Sequence, residues 1–445
     1  MIVHAATALI DGAAVRDVRI HSDGTGHIAR VEPGAAPQPG DLRLGFVLPG
    51  AADAHSHAFH RVLRGRTHAG GGDFWRWRER MYAAAARLDP DTYRALARGV
   101  FAEMLAAGYT AVAEFHYVHH RPDGTPYLPA HAMESALADA AADTGIRLTL
   151  LDTCYLAGGI GAPLSAAQRR FGDGTARAWL DRWHALRDAL PPEVVVGAAV
   201  HSVRAVAPAD IAAIVAGLPA DVPLHVHLSE QPQENSDCLA AYGVTPTGVL
   251  EGAGALGPRL SVVHATHLTD DDIRLLGDSG VTVVMCPTTE ADLGDGIGPA
   301  RRLAGAGARI ALGSDQNAVV DPFLEARALE AGERLASGRR GRFSPRELVA
   351  AMTVHGYDAL GRTGGIRVGA HCDLIEIDDA SVRTVGAEPE QLVLAATATD
   401  VSHVVVGGML TARAGTLCGP TGAPGVRPAR LLAAALAKFD GSGEG

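Results

Sequence analysis

Residues 47–59 read VLPGAADAHSHAF, an apolar run that ends in two histidines separated by one residue. A short run of small and branched apolar residues is typical of a buried strand in a parallel sheet. Residues i and i+2 of a strand project from one face, so the imidazoles of His55 and His57 can reach one metal ion. In a chain with 20 histidines, one such spacing also arises by chance. The strand that runs directly into the pair favours the metal interpretation.

Seven further apolar runs follow, with helical patterns such as DTYRALARGVFAEMLAAG between them. Most are flanked by Gly or Pro and are rich in β-branched residues, as buried parallel strands are. Eight strand–helix alternations predict an α/β fold, a (β/α)8 TIM-type barrel, whose catalytic residues lie at the C-terminal strand ends. The seven runs are TAVAEF before His116, IRLTLLD before Thr153, VVVGAAV before His201, PLHV before His227, LSVV before His264, VTVVMC before Pro287 and IALGS before Asp315.

The two ends of the chain show a different pattern, with short alternating strands such as CDLIEID and VSHVVVGG. We predict that residues 1–46 and 369–420 pair into a small β-sandwich and that residues 47–368 form the barrel. Residues 421–445 are predicted to form a C-terminal helix and tail. The run Gly70–Gly72 indicates a loop near the active face that could hinge a lid.

The composition narrows the class of protein. A chain of 445 residues with 47% hydrophobic and 20% charged residues fits a soluble globular protein with one barrel and an accessory domain. The net charge of −11, without a basic stripe, argues against binding nucleic acid or a membrane surface. Five scattered cysteines argue against disulfides, and neither a signal peptide nor a membrane span is evident. The expectation is a cytoplasmic protein.

Polar residues at three other predicted strand ends could complete a metal site. His227 ends the fifth run, with His225 on the same face as an alternative ligand deeper in the barrel. His264 ends the sixth run, and its competitor His267 lies past the strand end. Asp315 ends the eighth run, where a lone Asp can also be a helix cap.

Three neutral imidazoles and one carboxylate, from His55, His57, His227 and Asp315, suit Zn²⁺ or another divalent ion with a position open for water. Such an ion lowers the pKa of its water toward ~7 and favours hydrolysis at neutral pH. Glu230 lies three residues beyond His227. It is either a solvated loop charge or a proton shuttle beside that water.

The motifs HSH, HLSE, HATH and GSD resemble the mononuclear deaminase branch of the amidohydrolase superfamily, and the resemblance extends over the whole chain. Longer segments resemble the formimidoylglutamate deiminases: HSHAFHRVLRG, FWRWRERMY, AGYTAVAEFHYVHH, VHSVRAV, HLSEQPQEN and CPTTEADLGDGIGP. The resemblance implies a homodimeric zinc hydrolase of histidine degradation that converts N-formimino-L-glutamate to N-formyl-L-glutamate and ammonia. Two-metal relatives need a bridging carboxylated lysine. The only lysine here, Lys438, lies in the tail, so we infer one metal per chain.

The resemblance also implies roles for individual residues. Zinc would be bound by His55, His57, His227 and Asp315; protons would be handled by Glu230, His264 and Asp315; and substrate would be bound by His60, Arg78, Tyr117, His201 and Arg204. The substrate carries two carboxylates, for which arginine is the natural bidentate partner. His60 stands where many relatives have Gln, and Gln316 where Ser is expected, which affects the substrate contacts more than the metal chemistry.

Two alternatives differ in class. Another deaminase or chlorohydrolase of this branch would act on a purine, pyrimidine or triazine, and would need aromatic walls and amide contacts more than paired arginines. A non-catalytic scaffold on the same fold would have lost metal ligands, whereas this sequence keeps a complete candidate set together with Glu230.

Overall fold

The computed structural model describes residues 1–68, 74–419 and 425–441, with the side chains of residues 74 and 75 left out. The predicted lid hinge at Gly70–Gly72 lies outside these residues. Within the described ranges, no helix combines the length and the apolar character that crossing a bilayer requires.

The described residues contain sixteen strands in two sheets. In chain order they are β1 (Ile2–Ile10), β2 (Ala13–Ser22), β3 (Ile28–Glu32), β4 (Leu42–Pro49), β5 (Ala51–Ser56), β6 (Tyr109–His116), β7 (Arg147–Cys154), β8 (Val195–Val200), β9 (Leu224–Leu228), β10 (Leu260–His264), β11 (Thr282–Met285), β12 (Arg309–Leu312), β13 (Leu374–Ile377), β14 (Val401–Val406), β15 (Met409–Arg413) and β16 (Thr416–Leu417).

Fourteen α-helices lie in the same residues, many of them starting at Pro after a polar N-cap. They are α1 (Phe74–Ala86), α2 (Pro90–Ala107), α3 (Ala132–Thr144), α4 (Ala176–Ala189), α5 (Pro208–Gly217), α6 (Pro232–Tyr242), α7 (Pro246–Gly252), α8 (Asp270–Asp278), α9 (Pro287–Leu293), α10 (Ala300–Ala306), α11 (Pro322–Ser337), α12 (Pro345–Met352), α13 (Val354–Ala359) and α14 (Pro428–Gly441). The last occupies the stretch for which the sequence predicted a closing helix.

Strands β5 to β12 pair in parallel, each with the next along the chain, and confirm the predicted TIM-type barrel. The first and last strands meet through a bridge between Ser56 and Asp315. The backbone N–H of Asp315 donates to the carbonyl of His55 at 2.8 Å, and that of His57 donates to the carbonyl of Asp315 at 2.9 Å. The closure therefore places the first and last predicted metal ligands side by side.

The first predicted strand is divided in the structure. The sequence analysis treated VLPGAADA as one strand ending at His55, whereas Val47–Pro49 belong to β4 in the terminal sheet and β5 begins at Ala51. The chain changes sheets at Gly50, where a Cβ atom would lie 2.2 Å from Oγ1 of Thr110. The side chain of Thr110 can pack this closely against the chain at Gly50 only because Gly50 has no side chain.

The terminal strands form an eight-stranded sheet in the order β16-β15-β14-β13-β4-β1-β2-β3. The sheet curls back on itself, because the N–H of Ile28 donates to the carbonyl of Ala370 and the N–H of Cys372 to that of Gly26. Its inner face encloses a small core of its own, which includes Val18. Both ends of the chain thus build the sandwich-like unit that the alternating patterns predicted.

The barrel closure also depends on a glycine. A Cβ atom at Gly313 would lie 2.8 Å from the Cβ of His55 and 2.9 Å from its backbone nitrogen. We expect Gly313→Ala to push β12 away from β5 and to lower the free energy of unfolding by ~1–3 kcal/mol, the usual cost of overpacking. Chemical denaturation measures this loss. Gly305→Ala is the matched control, since nothing lies within 4 Å of its added Cβ; a loss of equal size in both variants would refute the steric explanation.

Candidate functional site

The predicted site residues gather at the C-terminal ends of the barrel strands. Several residues at or just beyond the C-terminal ends of β9, β10 and β12 have the left-handed backbone conformation, which is uncommon for residues other than glycine. Ser229 has φ 49°, His264 φ 69° and Asp315 φ 46°. Strained backbone of this kind persists where the surrounding structure holds it, often at functional sites. Here the left-handed conformation turns the backbone sharply at the end of each of these three strands.

The four side chains predicted to bind metal lie near one another at the strand ends. Nε2 of His55 lies 3.1 Å from Nε2 of His227 and 3.4 Å from Oδ1 of Asp315. Nε2 of His57 lies 3.5 Å from the same Oδ1. Ligands of a tetrahedral ion with bonds of about 2.0 Å stand about 3.3 Å apart, which is close to the spacing of these three donor pairs. The donor set is therefore suited to a divalent ion.

Backbone carbonyls orient two of these rings. Nδ1 of His57 donates to the carbonyl of Phe115 at 2.8 Å, and Nδ1 of His227 to that of His201 at 3.0 Å. Each Nε2 is thus left with its lone pair toward the centre, the arrangement usual for metal-binding histidines. Burial lowers the pKa of His57 to about 3 and holds that of His227 well below its usual value. Neutral imidazoles are the form that binds metal.

His264 lies beside this cluster among carboxylates. Its Nε2 is 3.8 Å from Oε1 of Glu230 and 4.0 Å from Oδ2 of Asp315, and its Nδ1 is 3.5 Å from Oε1 of Glu290. Burial acts to lower the pKa of His264, but Glu230, Glu290 and Asp315 outweigh it and raise that pKa to about 10. The ring of His264 therefore lies among three carboxylates next to the candidate metal site.

A cavity of about 260 Å³ opens above the cluster, large enough for a molecule of amino-acid size. All the predicted site residues except the deeper His55 line it: His57, His60, Arg78, Tyr117, His201, Arg204, His227, Glu230, His264 and Asp315. Their roles toward a substrate stay predictions. Their convergence on one cavity is what the structure adds.

The two residues that depart from the family pattern have different positions. His60 lines the cavity, and its Nε2 is hydrogen-bonded to the hydroxyl of Tyr117 at 3.0 Å. Gln316 instead donates from Nε2 to Oδ2 of Asp292 at 2.8 Å. His60 can therefore contact a bound molecule, whereas Gln316 ties the loop after β12 to α9.

Arg204 stands in the cavity wall between two carboxylates. Its Nη2 is 3.5 Å from Oε2 of Glu230, and its Nε is 3.3 Å from Oε2 of Glu234. Burial alone would lower the pKa of this guanidinium, but Glu234 and Glu230 raise it. No described residue accepts a hydrogen bond from Nε of Arg204 or donates one to Oε2 of Glu234, although the two atoms lie within ion-pair distance of each other. A further anion at this guanidinium would therefore compete with the two carboxylates already beside it.

Arg78 supplies a second guanidinium to the same cavity. Its Nε donates to the hydroxyl of Tyr82 at 2.7 Å, and its Nη2 approaches the carbonyl of Gly158 at 3.5 Å. Arg78 on α1 is therefore a residue of the cavity wall and not only a charge on the helix surface.

The competing histidines are separated from the cluster. Nε2 of His225 bonds to the carbonyl of Ala359 at 2.9 Å, so this ring belongs to the barrel interior. Of the described residues, neither His225 nor His267 joins the histidine–carboxylate groups at the candidate metal site. His119 is buried and paired with Glu134 at 2.8 Å. It forms part of the packing behind the site.

Several residues of the site were missed by the sequence analysis. Asp53 accepts from the backbone N–H and the hydroxyl of Ser314, at 2.9 and 2.5 Å, and so links β5 to the segment after β12. Asn317 donates to the carbonyls of His57 and Asp315. Glu234 lies on α6, and its contact with Arg204 joins different strand ends. Asp53 could have been suspected as an acid inside an apolar run; the other two carry no local signal.

Comparisons with known proteins agree with this geometry. A family model described as "Amidohydrolase family" matches residues 46–411. The chain is 38% identical over 405 residues to a formimidoylglutamate deiminase of Pseudomonas aeruginosa, covering 88% of this chain and 89% of that protein. The crystal structure of an amidohydrolase from Brucella melitensis is similar with a TM-score of 0.90 at 32% identity, covering 98% of this chain and 99% of the other.

An adenosine deaminase from Xanthomonas campestris, solved with bound zinc, is similar with a TM-score of 0.82 at 24% identity and covers 99% of this chain and 98% of its own. That likeness shows the fold alone. The match over most of the chain to the family model and to the deiminase, together with the barrel and its strand-end cluster, shows that the chain belongs to the amidohydrolase family of hydrolytic enzymes.

Proposed function

We propose that this protein hydrolyses N-formimino-L-glutamate to N-formyl-L-glutamate and ammonia, the reaction named for its Pseudomonas aeruginosa relative. The observation that carries the proposal is the guanidinium of Arg204, which lines the cavity and lies 3.5 Å from Oε2 of Glu230. Arg78 offers a second cation to the same cavity. Two guanidinium groups suit a substrate with two carboxylates.

We further propose one zinc ion per chain, held by His55, His57, His227 and Asp315. The spacing of their donor atoms fits the ion, and the structurally similar adenosine deaminase was solved with zinc. When bound, such an ion lowers the pKa of a water molecule toward ~7 and so supplies a nucleophile at neutral pH.

The protein's own residues move the protons in this proposal. Water adds to the formimino carbon, and Asp315 accepts a proton from it. Glu230, whose Oε1 lies 3.8 Å from Nε2 of His264, relays that proton to the imine nitrogen. The proton of the new hydroxyl group then moves to the same nitrogen, the C–N bond breaks, ammonia leaves and the formyl carbonyl remains. His264 orients the water. His60, Tyr117 and His201 complete the cavity around the substrate.

A second candidate is deamination of a flat nitrogen heterocycle. Aromatic rings of Tyr117, Tyr155 and Phe171 line the cavity, and such walls suit a ring substrate. The similar structure of an adenosine deaminase belongs to this class. The two cationic groups in the cavity favour the charged, linear amidine instead.

The test is an ammonia-release screen with the zinc-loaded protein. Formiminoglutamate, formiminoaspartate and formiminoglycine are compared with adenosine, guanine and cytosine at equal concentrations. We expect formiminoglutamate to give the highest kcat/KM, because its two carboxylates can engage both arginines. Robust deamination of a nucleobase or nucleoside, with none of formiminoglutamate, would overturn the proposal in favour of the second candidate.

The proposed role of Glu230 makes a separate prediction. Glu230→Gln keeps the shape of the side chain but removes its ability to carry the proton. We expect kcat to fall by ~10²-fold or more, the usual scale of general acid–base catalysis, with the zinc content unchanged. Steady-state kinetics and elemental analysis measure the two quantities. Loss of zinc from this variant would show that Glu230 is a ligand and not a proton carrier.

A further inference from the structure

The guanidinium of Arg204 is shared between two acids at nearly equal distance. Oε2 of Glu230 is 3.5 Å from its Nη2, and Oε2 of Glu234 is 3.3 Å from its Nε. A substrate carboxylate arriving at Arg204 would be a third anion at one cation. Because like charges at this separation repel strongly in a partly dehydrated cavity, one of the two acids must yield.

The two acids are not held equally. Glu234 lies on α6 with a fully buried side chain, and its Oε1 accepts the backbone N–H of Ser229 at 3.3 Å. Glu230 lies on the loop between β9 and α6, and its side chain is 10% exposed. Within the described chain, its charged contacts are Arg204 and, at 3.8 Å, His264. Glu230 is therefore the acid that can move.

We propose that Arg204 couples substrate recognition to proton transfer: without substrate it holds Glu230, and a substrate carboxylate that takes its place releases Glu230 toward His264 and the reacting nitrogen. Glu234 keeps the guanidinium in position in both states. The coupling rests on the proposed function of this site, and it adds a positioning role for Glu234. It would make full activity conditional on a carboxylate in the substrate, which simple amidines lack.

Binding measurements test the displacement without using turnover. Calorimetry of the zinc-loaded protein with glutarate should show binding that Arg204→Ala removes. Glu230→Gln should tighten glutarate binding by about 10-fold, because glutarate no longer has to displace the charged Glu230 carboxylate from Arg204. The coupling is reciprocal: if bound glutarate weakens the contact between Glu230 and Arg204, that contact must weaken glutarate binding equally. Glu234→Gln is the matched control. Its carboxylate is as close to Arg204 but is not displaced, so the change should stay below about 2-fold.

Plain charge repulsion predicts a different pattern. Since Glu234 is slightly closer to Arg204 and more buried than Glu230, repulsion alone would make Glu234→Gln tighten glutarate binding at least as much as Glu230→Gln. Equal tightening in both variants, or the absence of glutarate binding that depends on Arg204, overturns the displacement.

A rate measurement gives an independent test. Wild-type protein should hydrolyse N-methylformamidine slowly, and added propionate should raise its kcat/KM by about 10-fold, because the free carboxylate releases Glu230. Arg204→Ala should hydrolyse N-methylformamidine faster than wild type and not respond to propionate. Hydrolysis of formiminoglutamate without these effects refutes only the coupling. If neither amidine is hydrolysed, the proposed function fails, and calorimetry still decides the displacement.

Discussion

Replacing His57 by alanine is expected to remove most of the metal and with it the activity. His57 contributes one of the three imidazoles of the candidate metal site, and its Nε2 lies 3.5 Å from Oδ1 of Asp315. Removing a residue that hydrogen-bonds to a metal ligand already lowers the affinity for the metal by ~10–100-fold, so removing a ligand itself should lower it further. The zinc content measured by elemental analysis should fall from about one ion per chain to a small fraction of that, and the rate of ammonia release should fall in parallel.

The control for this variant is His267→Ala, which removes a histidine from the HATH motif that does not join the cluster. It should keep its zinc. Full metal content together with full activity in His57→Ala would refute the assignment of the site. A loss of zinc in both variants would point to a general loss of structure, which circular dichroism and thermal unfolding would reveal.

Replacing Arg204 by alanine is expected to lower kcat/KM for formiminoglutamate. The ratio of the two kcat/KM values should correspond to a loss of roughly 2–5 kcal/mol in transition-state stabilisation, the scale for removing one partner of a buried charge pair. Arg204 lines the cavity, where its guanidinium can pair with a substrate carboxylate in exchange for Glu230. The zinc content and the folded structure should persist. Steady-state kinetics and elemental analysis check both expectations.

A substrate analogue separates recognition from structure in this variant. When the carboxylate that pairs with Arg204 is converted to an amide, the guanidinium no longer has an anion to bind. On this amide, Arg204→Ala should lower kcat/KM far less, or raise it, because the variant also frees Glu230 from Arg204. Equal losses on the acid and on the amide would mean that Arg204 supports the site through Glu234 alone, as a structural arginine.

The barrel could be predicted from the sequence because its signal is local and repeated. Each apolar run is short enough to be a strand, and seven of the eight end at a polar residue. In a parallel barrel all C-terminal strand ends meet at one face, so residues as distant as His55 and Asp315 could be placed together before any contact was known. The bridge between Ser56 and Asp315 confirms that placement.

The choice between neighbouring candidates needed the tertiary structure. His225 and His227 lie on the same face of their strand, so the periodicity of the sequence cannot distinguish them. Their depth in the barrel does, because His225 contacts the carbonyl of Ala359 and His227 contacts His55. The division of the first apolar run at Gly50 likewise follows from the approach of Thr110, which no local pattern records.

The sequence by itself determined the class of the site: which residue types stand at which strand ends, and hence a metal-binding hydrolase of the amidohydrolase family. Only the tertiary structure decided how the charges around it are shared. Glu230 follows β9 and Glu234 lies on α6, yet both meet Arg204, which follows β8. These ion pairs depend on the distances between side chains of separate elements, because the interaction between two charges depends on their separation in space. Which acid pairs with Arg204 is therefore defined only when the barrel is closed.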